Sequence, residues 1–600
     1  MSGALTDLRA LIALLRREGE LVEIDAPVDP HLELAEVHRR VIAAGGPALL
    51  FRNPTTGDFP VITNLFGTRR RVALAFGDRP RTLVEELARL PVELMPPSLG
   101  KLWGKRALFK NLARIGTKTR SRGAVSDRME APPRLSRLPA LTCWKEDGGP
   151  FITLPLVHTQ SPVDGVDNLG MYRLQVFDDE HTGMHFQIGK GGGFHLAEAE
   201  ARGEDLPVHV SLGGPPALTL AAIAPLPEGV PEFLLASLVM GRKLGLAKDS
   251  RAPLPLVADA EFVLSGRVLR GARRPEGPFG DHYGYYSLQH DYPVFRCERL
   301  FEREGAIYPA TVVGKPRQED FFIGDYLQEL LSPLFPVVMP AVKDLWSYGE
   351  TGYHSLAGAV VRERYPREAM VQAFRILGEG QLSLTKFLLA TDGDVDLRDF
   401  PATLRHVLAR FDPARDLYVF PHLSMDTLDY TGPEVNRGSK GVLLGLGDPV
   451  RDLPGEFAGE VPSVIDRAAV FTPGCLVLSG ASHAEEPDLA DALAADPVFE
   501  SWPLVVLVDD ASRAAASSIN FLWTTFTRFE PEADIHGRAA LRGPNQIGYR
   551  LPIVIDARMK GTYPDELITD DATKDLVTRR WAEYFPGGQD MGDSDAAHLD

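Results

Sequence analysis

Apolar residues recur three and four apart through ALTDLRALIALLRR near the start of the chain, and then alternate with polar ones through ELVEI. That spacing predicts an amphipathic helix running into a strand. PALLF (47–51) and VITNLFG (61–67) read as further strands, so residues 1–125 form an expected N-terminal α/β domain. From 126 to 318 the texture changes to short β-branched and aromatic runs between Gly/Pro turns, as in FITLPLV, MYRLQVF, MHFQIG, LPVHVSLG and IYPATVVG. This pattern predicts a mostly β domain, a barrel. Helix and strand alternation returns over 319–454, with VVMPAVKDLWS, REAMVQAFRILGEG and TKFLLATD, and predicts a second α/β domain.

The remainder, 455–600, repeats part of that domain. FLLATD (387–392) lies over VVLVDD (505–510), and ARFDPARD (409–416) over TRFEPEAD (527–534), both at an offset of 118. Two anchors at one offset predict a duplicated strand, acidic turn and helix unit. The last ten residues, MGDSDAAHLD, are acidic and poor in apolar groups, and are expected to be a disordered tail.

Composition narrows the class. With 600 residues, 44% of them hydrophobic, the chain has apolar mass for several cores. Three scattered cysteines, without CxxC or Cys/His spacing, argue against a disulfide framework and a zinc site and for a reducing compartment. The start lacks the features of a targeting signal, and no run of about 18 apolar residues is present, so a soluble, cytoplasmic protein without integral membrane contact is expected. A formal charge of −18 disfavours nucleic-acid binding. One stretch departs from that average: KLWGKRALFKNLARIGTKTRSR (101–122) carries eight Lys or Arg and no acid. It reads as a basic surface segment joining two domains, or as a face for an anionic membrane or another domain.

Candidate chemistry lies in three stretches. In NLGMYRLQVF, alternation puts Met171, Arg173, Gln175 and Phe177 on one face of a strand. QIGKGGGF sets Lys190 beside three glycines, a pattern open to a phosphate cradle but more commonly that of a Gly-rich hairpin turn. EGPFGDHYGYY (276–286) holds Glu276 and Asp281 among Phe279, Tyr283, Tyr285 and Tyr286. These acids are either turn residues bonded to loop amides or a poorly solvated acid pair able to move protons beside an arginine such as Arg173.

NLGMYRLQVF, APLPEGVPEFLLASLVMGRK, PEGPFGDHYGYY followed by YPVF, LSLTKFLLATDGDVDLRD with ARFDPARD, and RGSKG stand in the order and at the spacing of the UbiD-like decarboxylases. The chain resembles that family over roughly residues 10–450. The resemblance implies an N-terminal α/β domain, a central split β-barrel that binds prenylated FMN, and a C-terminal α/β domain used for oligomerisation, here with the duplicated extension. It implies reversible, non-oxidative decarboxylation of an aromatic or α,β-unsaturated acid, with a quinone precursor as the leading substrate, and a flavin prenyltransferase as the source of cofactor. A homo-oligomer between dimer and hexamer follows from the same resemblance.

Carried over residue by residue, the family's charged trio falls on Arg173, Glu276 and Asp281. Flavin contacts fall on Asn168, Met171, Tyr172, Arg173, His185, Phe186, Gln187, Lys190, Gly191 and Lys386. The family's metal, Mn2+ or Mg2+ with K+ as a further candidate, is held by Asn, His and Glu. Asn168 and Glu232 match two of these, but Gly189 stands where relatives have the histidine. His185 and His195 flank that position without replacing it. Two other readings remain: a flavin-binding or assembly protein without catalysis, which Gly189 favours, and a metal-dependent hydrolase, which the lack of a histidine cluster disfavours.

Overall fold

The computed structural model describes residues 5–593 except 188, 190, 227, 228, 316, 539, 540, 544 and 545. Most of the acidic tail, 594–600, and the expected phosphate lysine, Lys190, therefore lie outside the described residues. The chain forms two compact units. One joins Met1–Leu330 to the segment that begins at Glu566, and the other is Leu331–Asp565.

In the first unit, the helix Leu8–Arg17 buries Leu8, Leu11, Ile12 and Leu15 on one face, and Asp7 caps it by accepting from the Ala10 N–H at 2.8 Å. A four-stranded sheet follows, made of Leu21–Ile24, Ala48–Phe51, Val61–Thr63 and Tyr308–Pro309. Its last strand comes from IYPATVVG, so this layer draws on both sides of the expected boundary at 125. The basic stretch forms the surface helices Leu99–Gly104 and Arg106–Leu112 and the exposed strand Thr117–Arg120, which pairs with Leu244–Ala247.

The central sheet has seven strands. Its path runs His181–Gly183, His290–Glu302, Phe262–Glu276, Leu206–Leu212, Leu156–Gln160 and Asp167–Gly170, all antiparallel, with Arg128–Glu130 added on His290–Glu302. No ladder closes this path among the described residues, which corrects the expectation of a barrel to an open sheet. Beyond its two edges the chain meets itself at a Val176–Thr182 bridge and at the bond from His185 N–H to the Arg173 carbonyl, 3.2 Å. The long strand expected through NLGMYRLQVF is correspondingly broken into Asp167–Gly170 and Leu174–Gln175, and MHFQIG forms no strand beyond Gly183. Local alternation favours strands there, but residues 171–173 and 184–187 spend their groups on the site described below.

The segment from Glu566 returns to this unit, so the expected fourth unit, 455–600, is divided. Its helix Asp571–Tyr584 packs on Glu33–Ala43, which is buried nearly all round, charged residues included. Buried charge needs partners, and the returning helix supplies them. Arg580 pairs with Glu33, the Tyr584 hydroxyl donates to Glu33, and Arg40 donates to Thr578 Oγ1 at 2.7 Å and to the Lys574 carbonyl at 3.0 Å.

The second unit contains two five-stranded sheets. One orders Val342–Ser347, Leu356–Val361, Phe387–Thr391, Arg437–Gly445 and Leu417–Ser424. The other orders Ile465–Thr472, Cys475–Gly480, Leu504–Val508, Ile553–Asp556 and Ile535–Gly537. Both run antiparallel, parallel, parallel, antiparallel across the sheet. The acidic turns repeat in detail. Asp412 N–H donates to Asp416 Oδ2 at 2.9 Å, and Glu530 N–H to Asp534 Oδ2 at 2.7 Å, each 118 residues on. No helix among the described residues is long and apolar enough to cross a membrane.

Candidate active site

Arg173 emerges from one edge of the central sheet and Glu276 ends its longest strand. They meet side on: Arg173 Nε donates to Glu276 Oε1 at 2.9 Å and Nη2 to Oε2 at 3.2 Å, while Nη1 donates to Asp281 Oδ2. Nη2 also donates to Ser287 Oγ at 2.9 Å, and the guanidinium lies 4.5 Å from the centre of the Phe279 ring. The three predicted charged residues are thus one cluster. Glu276 is fully buried, and the side chains of Arg173 and Asp281 are 8% and 10% exposed.

The loop that carries the acids is held from outside. Gln175 accepts from Gly277 N–H at 2.9 Å and donates to the Gly148 carbonyl at 2.7 Å. Gln175 and Arg173 thus both reach the acid loop. Asp147 accepts from Gly280, Cys143 and Trp144 N–H groups at 2.8, 2.8 and 2.9 Å. On the far side, Leu567 N–H donates to the Gly284 carbonyl at 3.0 Å and Glu566 pairs with Lys315.

Electrostatics separates the acids. Burial alone raises a carboxyl pKa, but Arg173 and then His185 overcome it at Glu276, bringing it down to about 2. Asp281 is likewise lowered, against burial, by Arg173 and His282. Arg173 itself is raised in spite of burial, because both carboxylates favour its charge. At Asp147 burial prevails and pushes the pKa up to about 6, against its three N–H donors and the influence of Arg173.

Each acid of the trio also carries a histidine. His185 Nδ1 sits 3.0 Å from Glu276 Oε2, with its ring stacked on Tyr292 at 4.2 Å. His282 Nδ1 sits 2.6 Å from Asp281 Oδ1, which also accepts the His282 backbone N–H at 2.7 Å. Burial lowers the His185 pKa, so it faces Glu276 as a neutral donor. Its Nδ1 is thus engaged by the acid pair.

Other predicted residues gather near the Gly-rich stretch. Gly191 opens the helix Gly191–Ala201, and a Cβ there would lie 2.1 Å from Asn168 Oδ1. Tyr172 is buried edge-on to Phe186, with ring centres 5.0 Å apart, and its hydroxyl accepts from Gly192 N–H at 3.3 Å. A glycine-rich helix start with Asn168 and Tyr172 against it suits a flavin phosphate. Met171 and Gln187 are half-buried close by in sequence. Lys386 belongs to the second unit, where it is buried and paired with Asp429 at 2.8 Å.

The expected metal set is short of a ligand. Glu232 Oε2 accepts from Leu169 N–H at 2.8 Å, which brings it next to Asn168, but Gly189 offers no side chain. His195 bonds Thr159 Oγ1 at 2.9 Å, and that hydroxyl accepts from Asn168 Nδ2 at 3.4 Å. No group of three or more His, Cys, Asp or Glu among the described residues is placed to hold a metal. Asn168 and Glu232 are the two oxygen donors expected here, and Gly189 leaves the family's third ligand unfilled.

Comparison with known proteins places this geometry. The 3-octaprenyl-4-hydroxybenzoate carboxy-lyase models match in chain order: the N-terminal domain over 12–90, the Rift-related domain over 117–316 and the C-terminal domain over 321–445.

The chain belongs to the UbiD family.

Relatives of this UbiD-family chain match it over nearly its whole length. A protein of Chlamydia trachomatis serovar D is 52% identical over 581 residues, covering 96% of this chain and all of the relative. A Chlamydia pneumoniae relative, by name a component of 4-hydroxybenzoate decarboxylase, is 50% identical over 579 residues, covering 96% and 98%. Among solved structures, the vanillic acid decarboxylase of Sedimentibacter hydroxybenzoicus in closed form aligns with a TM-score of 0.66 at 22% identity, over 77% of this chain and 96% of its own. The UbiD-class enzyme HmfF of Pelotomaculum thermopropionicum, in complex with FMN, aligns with a TM-score of 0.60 at 24% identity, over 76% and 97%. The UbiD models end at 445, whereas the chlamydial relatives share 96% of the chain, so they also carry most of the second five-stranded sheet.

Asp147, Ser287, His185 as a partner of Glu276, and His282 were missed as site groups. His282 stands next to Asp281 in the sequence and is the one with a visible signal. Asp147, in CWKEDGG, has none.

Proposed function

We propose that the protein is a prenylated-FMN-dependent decarboxylase of a hydroxylated aromatic acid. The observation that carries this is the buried guanidinium of Arg173 clamped between Glu276 and Asp281. Bound at the Gly191 helix start, the flavin supplies the electron sink that loss of CO2 from an sp2 carbon requires. The chain's own part is charge and protons. Arg173 turns toward the substrate carboxylate and orients it, and the buried Glu276, fixed by Arg173 and His185, keeps that guanidinium in place. Phe279 and the buried Tyr283 and Tyr285 exclude water around the carbon that is to be protonated. The relatives' names support a 4-hydroxybenzoate-like acid, and a quinone precursor remains the leading member of that class. The reading includes a homo-oligomer in the cytoplasm, loaded by a flavin prenyltransferase. No step is routed through a metal.

The test is expression with and without a flavin prenyltransferase, followed by native mass of the bound flavin and CO2 release from 4-hydroxybenzoate, 3,4-dihydroxybenzoate, vanillate and cinnamate. Turnover of a phenolic acid only in the prenyltransferase-matured protein is expected. A protein that carries no flavin under either condition overturns the proposal.

A further inference from the structure

Loss of CO2 must be matched by one proton delivered to carbon, and the site needs a place to hold that proton between turnovers. Glu276 is a poor store. It is fully buried, its oxygens are taken by Arg173 and His185, and His185 is itself 7% exposed with its Nε2 unpartnered among the described residues. Asp281 differs on this point. Its Oδ2 takes Arg173, but its Oδ1 takes both the backbone N–H and the ring Nδ1 of His282, whose side chain is 26% exposed. The same imidazole acts on a second acid: burial raises the pKa of Asp320, in the first turn of the helix Glu319–Leu331, and His282 opposes that rise. Asp281, Asp320 and the Tyr283 ring, with centres 5.1 Å apart, are among the groups around His282, with Arg173 behind Asp281.

We propose that His282, set between Asp281 and Asp320, stores the proton that replaces CO2 and passes it through Asp281. The inference rests on the decarboxylase reading above. Between turnovers His282 is an imidazolium and Asp281 a carboxylate. The Nδ1 proton of His282 moves first to Asp281 Oδ1, and as the substrate carbon takes it from there that O–H bond breaks and C–H forms. Asp281 is then a carboxylate again, the ring is left neutral, and a solvent proton recharges it. One solvent proton enters for each CO2 that leaves, so the sequence balances. Arg173 keeps Asp281 strongly acidic, which is why the proton rests on the neighbouring ring. His282 acts through Asp281 and is a positioning and relay group in this scheme.

Two measurements test it. In the apo-protein with 15N-labelled histidine, the His282 ring is expected to show the imidazolium form at pH 7, and D281N and D320N each to shift it toward the neutral form. A neutral ring at pH 7 in the wild type overturns the proposal. In the flavin-loaded enzyme, with whichever panel acid the wild type turns over, H282A is expected to lose roughly a hundredfold in kcat with little change in KM. Added imidazole should restore it in proportion to imidazolium concentration, with H282Q unable to substitute. Unchanged kcat in H282A, or a loss that imidazole does not rescue in a variant that still binds flavin, overturns it. A wild type without turnover of any panel acid instead overturns the decarboxylase reading and leaves the 15N result to decide the ring's charge.

Discussion

Two kinds of acid pair stand in this chain. In the turns at 412–416 and 530–534, carboxylate oxygens close back on their own backbone and otherwise meet cations of fixed charge: Asp416 and Asp534 each accept the N–H four residues earlier, Asp416 also takes Arg367 at 2.7 Å and Asp534 Lys560 at 3.0 Å, and Asp412 Oδ1 accepts from Ala414 N–H at 3.0 Å. At 276–281 neither acid spends its oxygens mainly on amides. Glu276 takes Arg173 and His185, and Asp281 takes Arg173 and His282, with one amide besides. An amide cannot change its charge at ordinary pH, whereas an imidazole can. The destination of the lone pairs, more than the spacing of the acids, separates a turn from a site.

That comparison can be broken, most sharply at Glu276. Glu276→Gln keeps the shape but cannot hold Arg173 as a carboxylate does, so kcat should fall by roughly a hundredfold or more while flavin stays bound, as read by CO2 release and absorbance. Retained turnover would show that the buried pair is structural after all. In the turns the outcome should be reversed: D534N, or D416N, should cost about 1–3 kcal/mol of stability in thermal or denaturant unfolding and leave kcat alone. A smaller effect is expected at the helix start. G191A pushes a methyl group into Asn168 Oδ1 and should weaken FMN binding by about tenfold in a fluorescence titration, or ~1.4 kcal/mol, without altering the pH profile.

The smallest effect is on the acid-side slope of stability. Glu276 is held below its ordinary 4.5, at about 2, so its contribution is present above pH 4.5 and fades as pH falls toward 2. Asp147, raised from 3.8 to about 6, has the opposite sign: its ionisation weakens the fold as pH rises through that window. Unfolding free energy measured against pH should lose the first component in E276Q and the second in D147N. An unchanged slope in either variant contradicts the assignment of that acid.

Much of this was legible in the sequence because it is local or ordered. The offset of 118 anticipated two sheets of one strand order and two turns with matching bonds, since strand, turn and helix are short-range patterns. Arg173, Glu276 and Asp281 were found together because long motifs stood in order around them. What escaped depends on contacts far apart in sequence. Nothing periodic announces that residues 171–173 leave the sheet, that Asp147 props the acid loop across 133 positions, or that the strand Tyr308–Pro309 rejoins the N-terminal sheet. Gly189 was visible, but its consequence for the metal needed Asn168, Glu232 and His195 to be placed around it.

The return of the chain at Glu566 also sets an order of events during synthesis. Residues 1–330 leave the ribosome long before Glu566 and Leu567 exist to brace Gly284 and Lys315, or Arg580 to meet Glu33. All of Leu331–Asp565 must emerge in between. A nascent chain paused anywhere in that stretch carries Arg173, Glu276 and Asp281 but lacks one wall of the loop that aims them, so competence for the chemistry arrives late, with the segment that follows the second unit.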